Sequence, residues 1–302
     1  MAQRYRGWFV DNARWDHIEL RAGDIILTVP PKSGTTWIQM ICALLIFQTP
    51  DLPRPLGELS PWPDYLVHPR EEVVRELAGQ RHRRFIKTHT PPDGLPYDAR
   101  VTYLTIGRDP RDAGLSLDNH RSNTNLAVLI ERFNAASRAD GVEPPRFPEV
   151  PPASESIHDR FRAWVDSPEF MFGLPSYMRH LDIVWRRLDR PNVILTHYQQ
   201  LKDDLAGSMR GLAETLEIDV PEHKWPELVE AATFGGMKKR EADVVSHRDM
   251  WLDESRFLHK GTSGRWRSVL DDEDLTHYRE RVATLAGPDL LSWVHRGQES
   301  AG

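Results

Sequence analysis

The chain has 302 residues, 39% of them hydrophobic and including ten Trp and ten Phe, enough to bury a full core without disulfides or a structural metal. Its formal charge of −6 excludes a general nucleic-acid binder, which needs a basic face to neutralise phosphates. A single cysteine, Cys42, excludes an intramolecular disulfide and a Cys-cluster metal site. The longest apolar stretch, Trp37 to Phe47, contains Gln39 and is too short to span a bilayer. The charged N-terminus carries no secretory h-region, so a cytoplasmic protein is expected.

In chain order, Asp24 to Val29 is a short apolar run bounded by turn signals and reads as a buried parallel strand. Thr35 to Phe47 and Glu71 to Gly79 read as helices, and Arg84 to His89 and Val101 to Gly107 as the next strands. Asp109-Pro110-Arg111-Asp112 is a helix start, with Asp109 as N-cap and Pro110 at the first helical position. From about Asn119 to Pro168 the pattern weakens, and Gly141 to Pro152 carries five prolines, which rules out regular structure there. That stretch is expected to be a long surface insertion over the site. Pro175 to Leu188 is helical, Val193 to His197 a strand, and Leu201 to Glu217 a helix. Strands alternating with helices imply one α/β domain over residues 1–302, three layers with a central parallel sheet flanked by helices.

Only seven of the 39 basic residues are lysines, and several stand inside chemical motifs. The strand at 24–29 feeds Pro31-Lys32-Ser33-Gly34-Thr35-Thr36-Trp37 and then a helix. Free N–H groups and the positive end of the helix dipole converge at such a junction and favour an anion. Gly34 allows close backbone approach, Thr35 and Thr36 add hydroxyls, and Lys32 adds charge. The lysine precedes the glycine, so the segment does not match G-x-x-x-x-G-K-[ST]. The plainer reading is a helix start capped by Ser33 or Thr35. Lys87 and His89 share a face at a strand's C-terminal end, where open α/β sheets bind ligands. A histidine beside a lysine is held neutral and fit to act as a base. Arg108 and Ser116 flank the Asp109 helix start and suit a second phosphate, although Arg108 is equally placed to pair with Asp109 or Asp112. His259-Lys260-Gly261-Thr262-Ser263-Gly264-Arg265-Trp266 is a cationic, glycine-punctuated loop able to close over an anion or simply to stay solvated.

Together these four segments resemble the cytosolic sulfotransferase family, in that family's order and over about residues 20 to 270. Pro31–Trp37 resembles its 5′-phosphosulfate loop, Lys87-Thr88-His89 its Lys-x-His, Arg108 to Ser116 its 3′-phosphate segment, and Lys260-Gly261 with Gly264 and Trp266 its last loop. The resemblance implies a P-loop-like fold and transfer of a sulfuryl group from 3′-phosphoadenosine-5′-phosphosulfate (PAPS) to a hydroxyl or amine of a small acceptor, leaving adenosine 3′,5′-bisphosphate (PAP). It implies that Lys32, Ser33, Gly34, Thr35 and Thr36 bind the 5′-phosphosulfate. Trp37 and Phe234 would sandwich the adenine, with Tyr198 and Thr233 nearby. Arg108, Ser116, Lys260 and Gly261 would hold the 3′-phosphate, His89 would be the general base, and Lys87 would stabilise the transferring group. It further implies that Ser116 restrains Lys32 until acceptor arrives. Three departures stand out. His259 replaces the usual Arg, losing a charge and a bidentate fork at the 3′-phosphate. Val29-Pro30-Pro31 replaces Tyr-Pro, and Thr90-Pro91 replaces Leu-Pro beside the acceptor.

A metal is not required for sulfuryl transfer, and the sequence offers no convincing carboxylate set for one. The main alternative is a Mg²⁺-dependent P-loop nucleotide phosphotransferase, for which Asp109 is the one candidate acid. A nucleotide-binding protein without catalysis is the third. The acceptor is expected to meet Asn119–Pro168, Thr90–Pro92 and Met237–Trp251, and aromatic alcohols, glycosides and lipid hydroxyls all stay open. The oligomeric state is open too.

Overall fold

The computed structural model describes residues 2–147, 154, 156–258 and 261–296. Among these, β1 (Ile25–Thr28), β2 (Phe85–Thr88), β3 (Thr102–Gly107) and β4 (Val193–His197) form one sheet in the order β2-β1-β3-β4. Every pairing is parallel, with Ile25 opposite both Phe85 and Thr102, and Tyr103 opposite Val193. β1 lies inside the sheet and all four of its residues are buried, as a continuous apolar run in a doubly covered sheet requires.

Helices α1 (Thr35–Phe47), α2 (Leu56–Leu59) and α3 (Arg70–Gly79) lie between β1 and β2. Helices α4 (Pro110–Arg121), α5 (Leu126–Ala139), α6 (Ile157–Asp166) and α7 (Leu174–Trp185) lie between β3 and β4. After β4 come α8 (Tyr198–Asp203), α9 (Leu205–Thr215), α10 (Trp225–Ala232), α11 (Phe234–Lys239), α12 (Glu241–Val244), α13 (Asp272–Ala283) and α14 (Pro288–Val294).

The two-residue period of the strands sorts the core into two faces. Ile25, Leu27, Phe85, Leu104 and Ile106 pack with α1, α9 and α10. Ile26, Ile86, Tyr103 and Val193 turn the other way, onto Trp15, Leu77 of α3 and Val184 of α7. Beyond them α4, α6, α7, α13 and α14 share a further apolar cluster. Helix α1 is apolar almost all round and buried from Ile38 to Leu45, the pattern of a helix enclosed between other elements. At the opposite edge from the strand C-termini, Arg84 donates to Asp24 through Nε at 2.9 Å and also through its second nitrogen. Both side chains are 2% exposed, so the pair is closed off from water.

The stretch 119–168, where the sequence pattern weakens, holds regular structure. It contains α5, whose Leu129 and Phe133 are buried against Tyr65 and Met250, and α6, which buries Phe161, Trp164 and Val165 against α4 and α13. Residues 142–147 are without regular structure and the prolines from 148 to 152 lie outside the described residues. The helix expected over Leu201–Glu217 is broken at Asp204, whose non-helical backbone and side chain, accepting from the Gly207 N–H at 2.8 Å, start α9 anew.

Candidate active site

All four strands end on the same edge, and the residues just past their ends converge there. After β1 the chain turns sharply through Lys32 (φ +65°) and Gly34 (φ +110°) into α1. No side chain caps α1, because its N-cap is Gly34. Its first-turn N–H groups are therefore left for a ligand or solvent. Ser33 is not a cap either. Its fully buried hydroxyl meets the Tyr177 hydroxyl at 2.6 Å. Tyr177 in turn donates to the Arg108 carbonyl at 2.8 Å and accepts from the Arg108 N–H at 3.2 Å, so α7 buckles the β1 loop to the end of β3. Gly34 is needed here as more than a turn residue. A Cβ would stand 2.9 Å from the Tyr198 ring and 3.2 Å from Ile106.

Past β2, His89 is buried at 8% exposure. Its Nδ1 lies 2.6 Å from the Val29 carbonyl. A carbonyl only accepts, so Nδ1 carries the proton and Nε2 carries the lone pair. Burial first, and the neighbouring Lys87 second, hold this imidazole well below its ordinary pKa of 6.5, and it is neutral. The turn that presents it is pinned by the buried Asp64, which accepts from Thr88 at 2.7 Å and Thr90 at 2.5 Å. Trp62 touches both groups of the Lys-x-His pair: its ring lies edge-on to His89 at 4.7 Å, and the Lys87 amine sits 4.3 Å above it. Lys87 and His89 do share a face, as their spacing predicts.

Burial pushes Lys87 down to about 8, with Asp64 pulling it back up. Lys32 falls further, to about 7, from burial and from the like charges of Arg108 and Lys87, with no acid opposing. Two half-buried amines and a guanidinium thus stand close together. Neither amine has a carboxylate within ion-pair distance among the described residues. Such a cluster is electrostatically unfavourable until an anion enters it.

Arg108 lies over the Tyr198 ring at 4.4 Å and donates to the Thr262 carbonyl at 2.8 Å, which ties the last loop to the end of β3. It does not pair with Asp109, which caps α4 through the Arg111 N–H and binds the Arg111 side chain at 2.6 Å. Arg108 forms a long ion pair with Asp112 at 3.9 Å, and Asp112 also takes the Gly264 N–H at 2.7 Å. Arg108 Nε and Ser263 Oγ are both buried without a hydrogen-bond partner among the described residues. Orphaned donors of this kind call for a ligand with acceptor oxygens. Gly261 (φ +60°) has the Phe234 ring so close that a Cβ would meet it at 2.5 Å. His259 and Lys260 lie outside the described residues.

Trp37 donates to the Ala232 carbonyl at 2.8 Å, beside Thr233, which caps α11, and the half-exposed Phe234. Trp37 and Tyr198 meet edge to face at 5.0 Å. Trp37, Tyr198, Thr233 and Phe234 are thereby linked into one aromatic-walled corner beside the α1 N-terminus. Ser116 projects from α4 half-buried. The group bonded to the Lys32 amine is instead His120, one turn later, at 3.2 Å. His120, Asp64, Trp62 and Tyr177 carry no local sequence signal for their roles.

Comparison with known proteins bears on this geometry. A sulfotransferase-domain family model matches residues 22–287. The chain is 39% identical over 311 residues to a glycolipid sulfotransferase of Mycobacterium bovis, covering 97% of this chain and 94% of the relative. It is 26% identical over 298 residues to the luciferin sulfotransferase of Photinus pyralis, covering 87% and 71%. Among solved structures, retinol dehydratase in complex with androsterone and the inactive cofactor PAP superposes with a TM-score of 0.68 at 19% identity, over 93% of this chain and 89% of that one. A mouse sulfotransferase complexed with PAP gives 0.63 at 18% identity, over 99% and 96%.

Proposed function

The chain belongs to the sulfotransferase family and is a PAPS-dependent sulfotransferase, and on that premise we propose that it sulfates a hydroxyl of a glycolipid, with His89 as the base. The observation that carries the residue assignment is the pair of half-buried amines without carboxylate partners among the described residues, Lys32 and Lys87, set beside an imidazole whose free lone pair is at Nε2. The open N-terminus of α1 would take the 5′-phosphosulfate with Lys32, Gly34, Thr35 and Thr36, while Ser33 fastens the loop from behind through Tyr177. Arg108 and Ser263, with their orphaned donors, would take the 3′-phosphate together with Ser116 and Gly261, and Lys260 and His259 extend that proposal. Trp37, Tyr198, Thr233 and Phe234 would frame the adenine.

In the reaction the acceptor oxygen forms a bond to sulfur as the bond from sulfur to the phosphate oxygen breaks. His89 Nε2 takes the hydroxyl proton, a role of about 10²–10⁴-fold. Lys32 offsets charge growing on the leaving phosphate and Lys87 charge on the sulfuryl oxygens. Before donor arrives, burial first and the Lys87 charge second hold down the basicity of His89. The negative donor offsets the charge contribution, so binding raises the basicity of the group the chemistry needs.

A lipid-linked acceptor is supported by the 39% identical relative, named a glycolipid sulfotransferase, and by the surroundings of His89. Trp62 stacks on Tyr65 at 4.2 Å, and from them Phe9, Trp8, Phe133, Phe147 and Phe172 continue as linked rings. No described helix is long and apolar enough to cross a membrane. The test is transfer from PAPS to a panel of glycolipids, simple phenols and steroids. Sulfation of glycolipids supports the reading, and sulfation of phenols or steroids alone overturns it.

A further inference from the structure

His120 occupies the last turn of α4, four residues after Ser116, on the same helix face. Its Nδ1 is 3.2 Å from the Lys32 amine. With Lys32 at about 7 in the empty site, the amine there is largely uncharged, and the contact is one ordinary hydrogen bond between it and the ring. Trp251 at 4.7 Å and Phe257 at 6.3 Å wall the ring. The charged and titratable groups facing it are Lys32, Lys87 and His89, and with burial they keep it neutral. Ser116, which the family resemblance implies as the restraint on Lys32, is not the group in contact with that amine.

We propose that His120 is a positioning residue that holds the Lys32 amine against α4 while no donor is bound and yields it to the donor's 5′-phosphate end when PAPS binds. The proposal rests on the sulfotransferase reading. The Lys32 backbone is fixed at both sides, by its left-handed turn and by Arg108 reaching the Lys32 carbonyl at 3.4 Å. The exchange is therefore a side-chain rotamer change about a stationary Cα. A neutral imidazole is the right competitor for it. It offers one hydrogen bond to the amine, whereas phosphate oxygens offer a charge-assisted one, which is about twice as strong. The imidazole thus keeps the amine placed in the empty site and is outcompeted when the anion arrives. The same competition costs donor affinity. It also keeps Lys32 from standing permanently at the leaving phosphate, where it would favour attack by water on sulfur, with cleavage to sulfate and PAP and loss of the water protons to solvent.

The experiment compares wild type, His120→Leu and His120→Asn by calorimetric titration with PAP, by PAPS consumption without acceptor, and by ¹⁵N imidazole NMR of the full chain. A lost hydrogen bond of ordinary net strength predicts that His120→Leu binds PAP about fivefold tighter. It should also consume PAPS faster when no acceptor is present. His120→Asn, which keeps an acceptor atom, should lie near wild type. In wild type, PAP should move the His120 Nδ1 resonance towards the value of a nitrogen without a hydrogen bond. Unchanged or weaker PAP binding by His120→Leu overturns the proposal, and so does a wild-type Nδ1 resonance indifferent to PAP. Failure of wild type to bind PAP at all is a different result and sinks the sulfotransferase site assignment itself.

Discussion

Binding of PAP should draw protons into the protein, and the amount follows from the two half-buried lysines of the site. Lys32 stands at about 7 and Lys87 at about 8 in the empty site, against an ordinary 10.5. At pH 8 only about a tenth of Lys32 and about half of Lys87 are therefore protonated. The phosphates of PAP supply the negative charge that both amines lack, which raises both values and protonates them. Uptake at pH 8 is then somewhat more than about one proton per PAP, shrinking to about half a proton at pH 7. The sign follows from linkage. Groups whose pKa is raised on binding add affinity that is complete below their free values and is lost as pH rises through the bound ones. PAP affinity should therefore already fall by roughly threefold to fourfold per pH unit at pH 7 and more steeply above it, towards about tenfold per pH unit for each lysine. Calorimetry at pH 8 in buffers of different ionisation enthalpy reads the uptake directly. Lys32→Arg, with a side chain that is always charged, should remove most of the uptake and keep binding. Heats that are independent of buffer, or net proton release, would refute the account of unpaired amines.

Three further outcomes are expected. Gly34→Ala meets both a left-handed backbone at φ +110° and the Tyr198 ring at 2.9 Å. It should weaken PAP binding by tenfold or more (roughly one to two strain-sized terms), which PAP titration of a thermally intact variant checks. Trp62→Leu removes the ring under Lys87 and beside His89. Turnover should drop while PAP affinity changes little, so a kcat that stays at wild-type level contradicts the role. Asp24→Asn leaves the Arg84 guanidinium buried without its counter-charge and should cost about 3–5 kcal/mol of stability, measured by urea unfolding. A loss below about 1 kcal/mol would mean that the pair is effectively solvated.

The parts of the molecule that were legible in the sequence are those in which structure and chemistry share one short segment. The run at 24–29 declares a doubly covered strand by its unbroken hydrophobicity. Lys32 and Gly34 follow it within the same loop, so the strand, the turn and the anion site are legible in one short segment. Asp109-Pro110-Arg111-Asp112 was legible for the same reason, since capping is local chemistry. What escaped is what needs a second segment. His120 meets Lys32 from 88 residues away, Tyr177 meets Ser33 from 144, and Asp64 holds Thr88 from 24. None of these partners lies in a pattern of its own. Helices α5 and α6 were missed because the prolines between them dominate the stretch. Their buried faces rest on a few aromatic residues, Phe133, Phe161 and Trp164, rather than on a long apolar period. Asp204 shows the reverse case. A cap inside an apolar period was overridden by the periodicity, although the residue itself carried the break.

The central claim is that His89 Nε2 takes the acceptor proton in a site whose unpaired lysines bind PAPS. The most direct test is transfer of labelled sulfur from PAPS to a glycolipid by wild type and by His89→Asn, with PAP affinity measured on both. The account predicts sulfated glycolipid from wild type, a loss of about 10²–10⁴-fold in turnover for His89→Asn, and PAP affinity retained by the variant. Transfer by His89→Asn at the wild-type rate would contradict it.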